Sequence, residues 1–149
     1  MPKIILGIDP GQNGSVAVLN GVSIFIKKMP ETPTDLLNFL KSFSKADCVC
    51  YFEKVHGQPG MGGASMFTFG KNFGHIEMAL IAAGIKTVTI SPQKWQKVFS
   101  LGTKSQCVSG TEWKNKLKAK AQQLFPKCQI FLWGADAALI AQYGQMIEK

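Results

Sequence analysis

Apolar and polar positions along the first thirty residues fall into three short runs rich in Ile and Val: Lys3 to Asp9, Gly14 to Asn20 and Val22 to Lys27. Glycine-containing turns separate them, which predicts three strands in an antiparallel meander. The pattern then changes period. Thr32-Pro33-Thr34-Asp35 has the signature of a helix start, with Thr32 as N-cap and Pro33 at the first helical position, and Leu36, Leu37, Leu40 and Phe43 follow as a buried stripe. Val49 to Glu53 reads as a fourth strand and Lys86 to Ile90 as a fifth. Between them, Lys54 to Lys71 is rich in glycine and without sustained period, so a long loop is expected, ahead of a helix marked by Phe73, Ile76, Leu80 and Ile81 and stopped by Gly84.

Pro92 and Trp95 open a short helical segment, and the chain from Lys97 to Gly110 is polar and irregular. Ser109-Gly110-Thr111-Glu112 has capping-box spacing, and Trp113, Leu117, Ala121 and Leu124 line one face of the next helix until Pro126 ends it. A last helix is expected from about Gly134, with Leu139, Tyr143 and Met146 as core contacts. Neither a repeat nor an interdomain linker interrupts the 149 residues, which suit one domain.

Three acids share a context. Asp9 ends the first strand and is followed at once by Pro10-Gly11-Gln12-Asn13-Gly14, Glu53 ends the fourth, and Asp136 lies in the opening turn of the last helix. Asp9 has an ordinary explanation, since Asp beside a turn hydrogen-bonds its own backbone. If the first and fourth strands are neighbours, however, Asp9 and Glu53 project side by side. Carboxylates so placed repel one another and are tolerated when a proton or cation neutralises them, for which Mg²⁺ or Mn²⁺ bound by oxygens is the natural choice. Two such ions are able to activate a water and stabilise the leaving oxygen of a phosphodiester.

Charge sharpens that expectation. Seventeen basic residues face nine acids for a net charge of +8, and every basic residue is lysine. Such an excess either aids solubility or marks a polyanionic partner, and lysine, a point charge without the fork of arginine, favours phosphate contact over base reading. Cys48, Cys50, Cys107 and Cys128 contain no C-x-x-C pair and match no zinc spacing even with His56 and His75, so they read as reduced thiols. No apolar run approaches the roughly 20 residues of a membrane span. No secretory pattern opens the chain, and an intracellular location is expected.

Four segments in order, GIDPGQNGSVAVL, YFEKVHGQPGMGGASMFTFGKNFGHIE, ISPQKWQK and ADAALIAQYG, resemble the Holliday-junction resolvases of the RuvC-like group, especially their phage-type members. The resemblance runs from Ile4 to Gly144 and is weakest between Ser100 and Lys120. It implies a ribonuclease-H-like α/β fold, a five-stranded mixed sheet with helices on both faces, in a single domain. It further implies a homodimer that binds a four-way DNA junction and makes paired, nearly symmetric nicks with Mg²⁺ or Mn²⁺. Independently of it, the lack of a long apolar run and the size and basic charge lead us to expect no membrane and no small-molecule nucleotide as partner. Asp9, Glu53 and Asp136 match the metal-binding acids of that family. A lysine on or just before the penultimate helix commonly serves the scissile phosphate there, and Lys114 and Lys118, four apart on one helical face, are the candidates. One departure stands out: the family's further acid, three or four residues before the position of Asp136, is here replaced by Leu132 and Trp133. Either Glu77 or His75 fills the gap, or Glu77 is a surface residue of its helix and His75 a satisfied polar neighbour.

Other residues carry two readings each. Phe67 and Phe69, with Met66, either stack on opened DNA or anchor the glycine segment, whose Gly60, Gly62 and Gly63 would let a DNA backbone approach. Lys54, Lys71, Lys94 and Lys97 flank the expected site and would touch phosphates, or form a solvated face. His56 shuttles a proton or makes a loop hydrogen bond, and Trp95 and Trp113 are expected in the core or a dimer interface. Three rival functions remain: a junction-binding protein with weakened catalysis, a related nuclease on RNA·DNA hybrids or other branched DNA, and a small-molecule phosphotransferase, which size and basic charge oppose.

Overall fold

A computed structural model describes residues 2–11, 13–54 and 60–149. His56 lies outside the described residues. Strands β1 (Ile4–Asp9), β2 (Ser15–Asn20) and β3 (Ser23–Lys28) form the expected antiparallel meander, while β4 (Cys48–Glu53) and β5 (Lys86–Ile90) add to β1 in parallel, giving the sheet order β3-β2-β1-β4-β5. The sheet is thus mixed and five-stranded, and strands one and four are neighbours, with Ile8 opposite Phe52.

Alternation along the central strands divides the core in two. Leu6, Ile8, Cys50 and Phe52 face α1 (Pro33–Lys41) and α2 (Gly63–Ala82), meeting Leu36, Leu40, Ile76 and Leu80. Ile5, Val49 and Tyr51 face the other way, into a layer built by α3 (Pro92–Gln96), α4 (Gly110–Leu124) and α5 (Leu132–Ile147). By the same period of two, Asp9 and Glu53 belong to the α5 face.

The caps behave largely as the sequence indicates. Thr32 accepts from the amide of Asp35 at 3.1 Å to start α1. Gly84, at φ +72°, ends α2 with the Ile85 amide bonded back to the Leu80 carbonyl, the hydrogen bonding of a Schellman stop. Ser109 caps α4 through the Glu112 amide at 3.2 Å, but the Glu112 carboxylate reaches the amide of Val108 at 2.7 Å rather than that of Ser109, so the box closes one residue early.

Four expectations need correction. The segment Lys54 to Lys71 is not loop throughout, because α2 begins at Gly63. Its first turns pack against little, leaving Met66 and Phe67 exposed among Gly63, Gly70 and Gly74, so no amphipathic period marks them. Ile81 is 70% exposed and lies off the α2 stripe, which runs instead through Ile76, Ala79 and Leu80. Met146 is also exposed, at 45%, whereas Leu139 and Tyr143 are buried as expected. Finally, α5 starts at Leu132 rather than near Gly134, which moves Asp136 from its first turn into its second.

The placement of α5 depends on small residues. Ala137, Ala138 and Ala141 are fully buried against the sheet. A Cβ on Gly7 of β1 would collide with the Ala137 carbonyl and stand 2.5 Å from the Ala141 nitrogen. Glycine at that position lets the α5 backbone lie directly over β1, close enough for Asp136 to reach the strand ends. Beyond it, Tyr51 donates to Glu148 at 2.7 Å, and Lys3 reaches the same carboxylate at 3.2 Å, tying the chain just past α5 to the sheet.

No helix among the described residues is long and apolar enough to cross a membrane. All four cysteines are free.

Candidate active site

Asp9 and Glu53 end adjacent parallel strands on one face, and Asp136 descends onto them from α5. The turn after β1 shapes this rim. Gly14 donates its amide to the Gly11 carbonyl at 2.8 Å, and a Cβ at Gly14 would collide with the carbonyls of Asp9 and Gly11. Asp9 also does what its ordinary reading requires, accepting the Gly11 amide on Oδ1 at 3.3 Å. The turn bond holds the carboxylate at the rim without consuming its other oxygen.

The three acids feel one another. Burial pushes the Glu53 carboxyl up to about 7, and the charges of Asp9 and Asp136 add to the rise against the opposing indole hydrogen bond of Trp95. Burial likewise raises Asp136 to about 7, helped by Asp9 and opposed by Lys114. Asp9 is raised by burial, opposed by the Gly11 amide and by Lys114. No three His, Cys, Asp or Glu side chains among the described residues stand in a preformed metal cluster.

Asp9 and Asp136 line a cleft of about 480 Å³ with Asn13, Gly14, Lys28, Met29, Lys114, Leu132 and Trp133. Lys114 projects from the first half of α4, and its charge lowers both aspartates. Lys118, one turn further along α4, does not line the cleft. Of the proposed substitute ligands, Glu77 is exposed on α2, and His75 faces a separate cleft with Gly11, Glu31 and Asn72. Neither joins the three acids.

The expected DNA contacts scatter more widely. Lys54 follows Glu53 directly, and Gly60, Gly62 and Gly63 lead into α2, with Gly62 in its N-cap position. Phe67 is 72% exposed, while Phe69 is half-buried in a further cleft with Pro10 and Asn72. Lys71, Lys94 and Lys97 are exposed, on α2, on α3 and just after α3.

Three features have no counterpart in the sequence reading. Trp95 is fully buried in the core, as one of its two readings held, but its indole N–H also donates to Glu53 Oε2 at 2.6 Å. Ser15 stands directly across from Asp9, and its hydroxyl is buried without a partner among the described residues. Lys28 is opposite Ser15, completing a row from β1 to β3. The row was available in principle from the meander: pairing Asp9 across the Gly14 turn and Asn20 across the Gly21 turn fixes it.

The architecture is shared with a solved protein. RuvC of T. thermophilus in complex with a Holliday-junction substrate superposes with a TM-score of 0.66 at 14% identity, covering 97% of this chain and 95% of that one. A second Thermus thermophilus RuvC structure gives 0.59 at 13% identity over the same shares. The fold is therefore ribonuclease-H-like, as in RuvC. No protein-family model and no curated protein matches the sequence.

Proposed function

We propose that this protein is a metal-dependent, structure-specific DNA endonuclease that resolves Holliday junctions. One observation carries the reading: β1, β4 and α5 bring Asp9, Glu53 and Asp136 to one rim of a RuvC-like fold, at the cost of raised carboxyl pKa values. Such a cost is characteristic of functional sites. The junction as substrate is supported by the likeness to the junction-bound T. thermophilus RuvC and by the net charge of +8.

The donor set fits a hard divalent cation, Mg²⁺ or Mn²⁺. All three groups are oxygen donors, their mutual repulsion is what a cation would relieve, and the Ser15 hydroxyl across from Asp9 is buried without a partner among the described residues. When bound, the metal supplies an activated water and stabilises the leaving oxygen. Asp9, Glu53 and Asp136 would hold it, Trp95 fixes the Glu53 carboxylate, and Lys114 would draw the scissile phosphate toward the aspartates and steady its developing charge. Two copies of the chain would cut the paired strands. The exposed apolar residues of α2, Phe67, Met78 and Ile81, are the surface on offer for that association.

Cleavage of a four-way junction beside a linear duplex of the same arms, with Mg²⁺, with Mn²⁺ and with chelator, tests the reading. Metal-dependent nicks in opposing strands of the junction alone are expected, lost in Asp9→Asn and Glu53→Gln with binding retained. The apolar pair Leu132 and Trp133 at the cleft favours a second reading, a junction-binding protein of weakened catalysis. Selective binding without nicks in either metal would select it.

A further inference from the structure

The cleft wall beside the acids is aromatic and carries a lysine. Phe131 and Trp133 stack with centroids 5.5 Å apart and planes 7° from parallel, and the Lys28 ammonium stands 5.2 Å from the Trp133 centroid. Folding does not require this arrangement. Phe131 occupies the N-cap of α5, where Ser, Thr, Asp or Asn would satisfy the helix amides, and makes no capping bond; it is 45% exposed, and Leu132 beside it is also exposed. Lys28 makes no ion pair among the described residues. Of the three tryptophans, Trp95 and Trp113 are buried, and only Trp133 is partly open to solvent.

Two parallel stacked rings, Phe131 45% exposed and Trp133 carrying Lys28 over it, with a second cation, Lys114, lining the same cleft as Trp133, match one ligand chemistry: a base with its phosphate. Stacking accepts any base face, and an ammonium resting on an indole is less hydrated than one in water and ready to meet an anion. We propose that Phe131, Trp133 and Lys28 form a ledge that stacks one unpaired nucleobase next to Asp9 and Asp136, with Lys28 on the phosphate of that nucleotide. The ledge gives the site a reason to prefer DNA whose strands are opened at the cut. The proposal rests on the nuclease reading for what lies beside the base, but its binding step is separable from cleavage.

The test is tryptophan fluorescence in chelator, titrating a short oligothymidylate and, separately, a duplex of matched length. Single strand is expected to quench the wild type more strongly than duplex. Trp133→Phe removes the quench and keeps most of the affinity, because a ring remains. Phe131→Ala weakens single-strand binding roughly 5- to 150-fold, the range for loss of one stacked base. Lys28→Ala flattens the salt dependence by roughly 0.7 in log–log slope, one phosphate on a single strand. Phe131 and Lys28 are exposed, so those variants should melt like the wild type. Quenching that survives in Trp133→Phe, or wild-type affinity in both Phe131→Ala and Lys28→Ala, overturns the ledge. Junction cleavage by the same proteins keeps the two readings apart: cutting by the wild type with unaltered binding by the variants removes only the ledge. Ledge-dependent binding by a wild type that never cuts removes only the nuclease.

Discussion

The indole N–H of Trp95 donates to Oε2 of Glu53 at 2.6 Å inside the core, across 42 positions of sequence. The bond joins α3, behind the sheet edge, to the end of β4, and it favours the ionised carboxylate against a burial that disfavours it. Trp95→Phe keeps most of the buried ring and removes only the donor. A hydrogen bond to a charged group contributes about 1.5–3 kcal/mol, so a loss of that order is expected at pH 8, where Glu53 is ionised, and a smaller one at pH 5, where it is protonated. Urea unfolding at the two pH values measures the difference. Equal losses at both would show that ring packing, not the charge-assisted bond, is what Trp95 contributes.

The acids also set a pH dependence whose sign follows from their shifts. Glu53 and Asp136 titrate near 7 in the folded protein, against ordinary values of 4.5 and 3.8 in the unfolded chain. Between about pH 4 and 7 the folded state therefore binds more protons than the unfolded state, and stability falls as pH rises through that window. With chelator present, the melting temperature should be lower at pH 8 than at pH 5. Added Mg²⁺ or Mn²⁺ should raise it more at pH 8 than at pH 5, and Asp9→Asn, which removes a repelling charge, should raise the chelated value at pH 8. A chelated protein that gains stability from pH 5 to pH 8 would contradict the shared-charge description of the site.

Much of this was legible because strand and helix periods are local signals. The Ile and Val runs announce the first three strands, Val49 to Glu53 and Lys86 to Ile90 read as the other two, and Thr32, Gly84 and Ser109 mark their helix boundaries through chemistry that acts within a few residues. The convergence of Asp9 and Glu53 required one long-range assumption, the pairing of β1 with β4, which the register confirms. What stayed hidden had no local signature. The first half of α2 buries too little to be periodic, and the Trp95–Glu53 bond depends on how α3 docks. Lys28 and Trp133 meet only because α5 crosses the third strand, where Gly134 abuts Ile26.

Lys114 and Lys118 were indistinguishable by spacing, and the cleft separates them. Lys114 lines it and depresses both aspartates, whereas Lys118 stands outside it. Lys114→Ala should reduce kcat for junction cleavage by roughly tenfold or more, within the range of losing one transition-state charge contact. It should also raise the pH at which Asp9 and Asp136 ionise, moving the acidic limb of the profile to higher pH. Lys118→Ala is expected to act through binding alone, with a smaller salt slope and unchanged kcat. Reversed behaviour of the two variants would reassign the phosphate contact.

Gly7 offers a test of whether site geometry depends on the approach of α5 to β1. An added methyl there meets backbone, the Ala137 carbonyl and the Ala141 nitrogen, which cannot rotate away. Gly144, further along the same helix, would meet side chains instead, Tyr51 and Ile5. Overpacking costs typically about 1–3 kcal/mol, and both Gly7→Ala and Gly144→Ala should lower the melting temperature. Their effects on cleavage should diverge, because Asp136 is adjacent to Ala137 and eight residues from Gly144. Lifting α5 at Gly7 moves Asp136 away from Asp9 and should depress cleavage well beyond the loss of folded protein, whereas the Gly144 variant should cut in proportion to its folded fraction. Assays run below both melting temperatures make the comparison. Equal specific activity of the two variants would mean that Asp136 tolerates displacement, and with it that the site does not rely on the close packing that Gly7 permits.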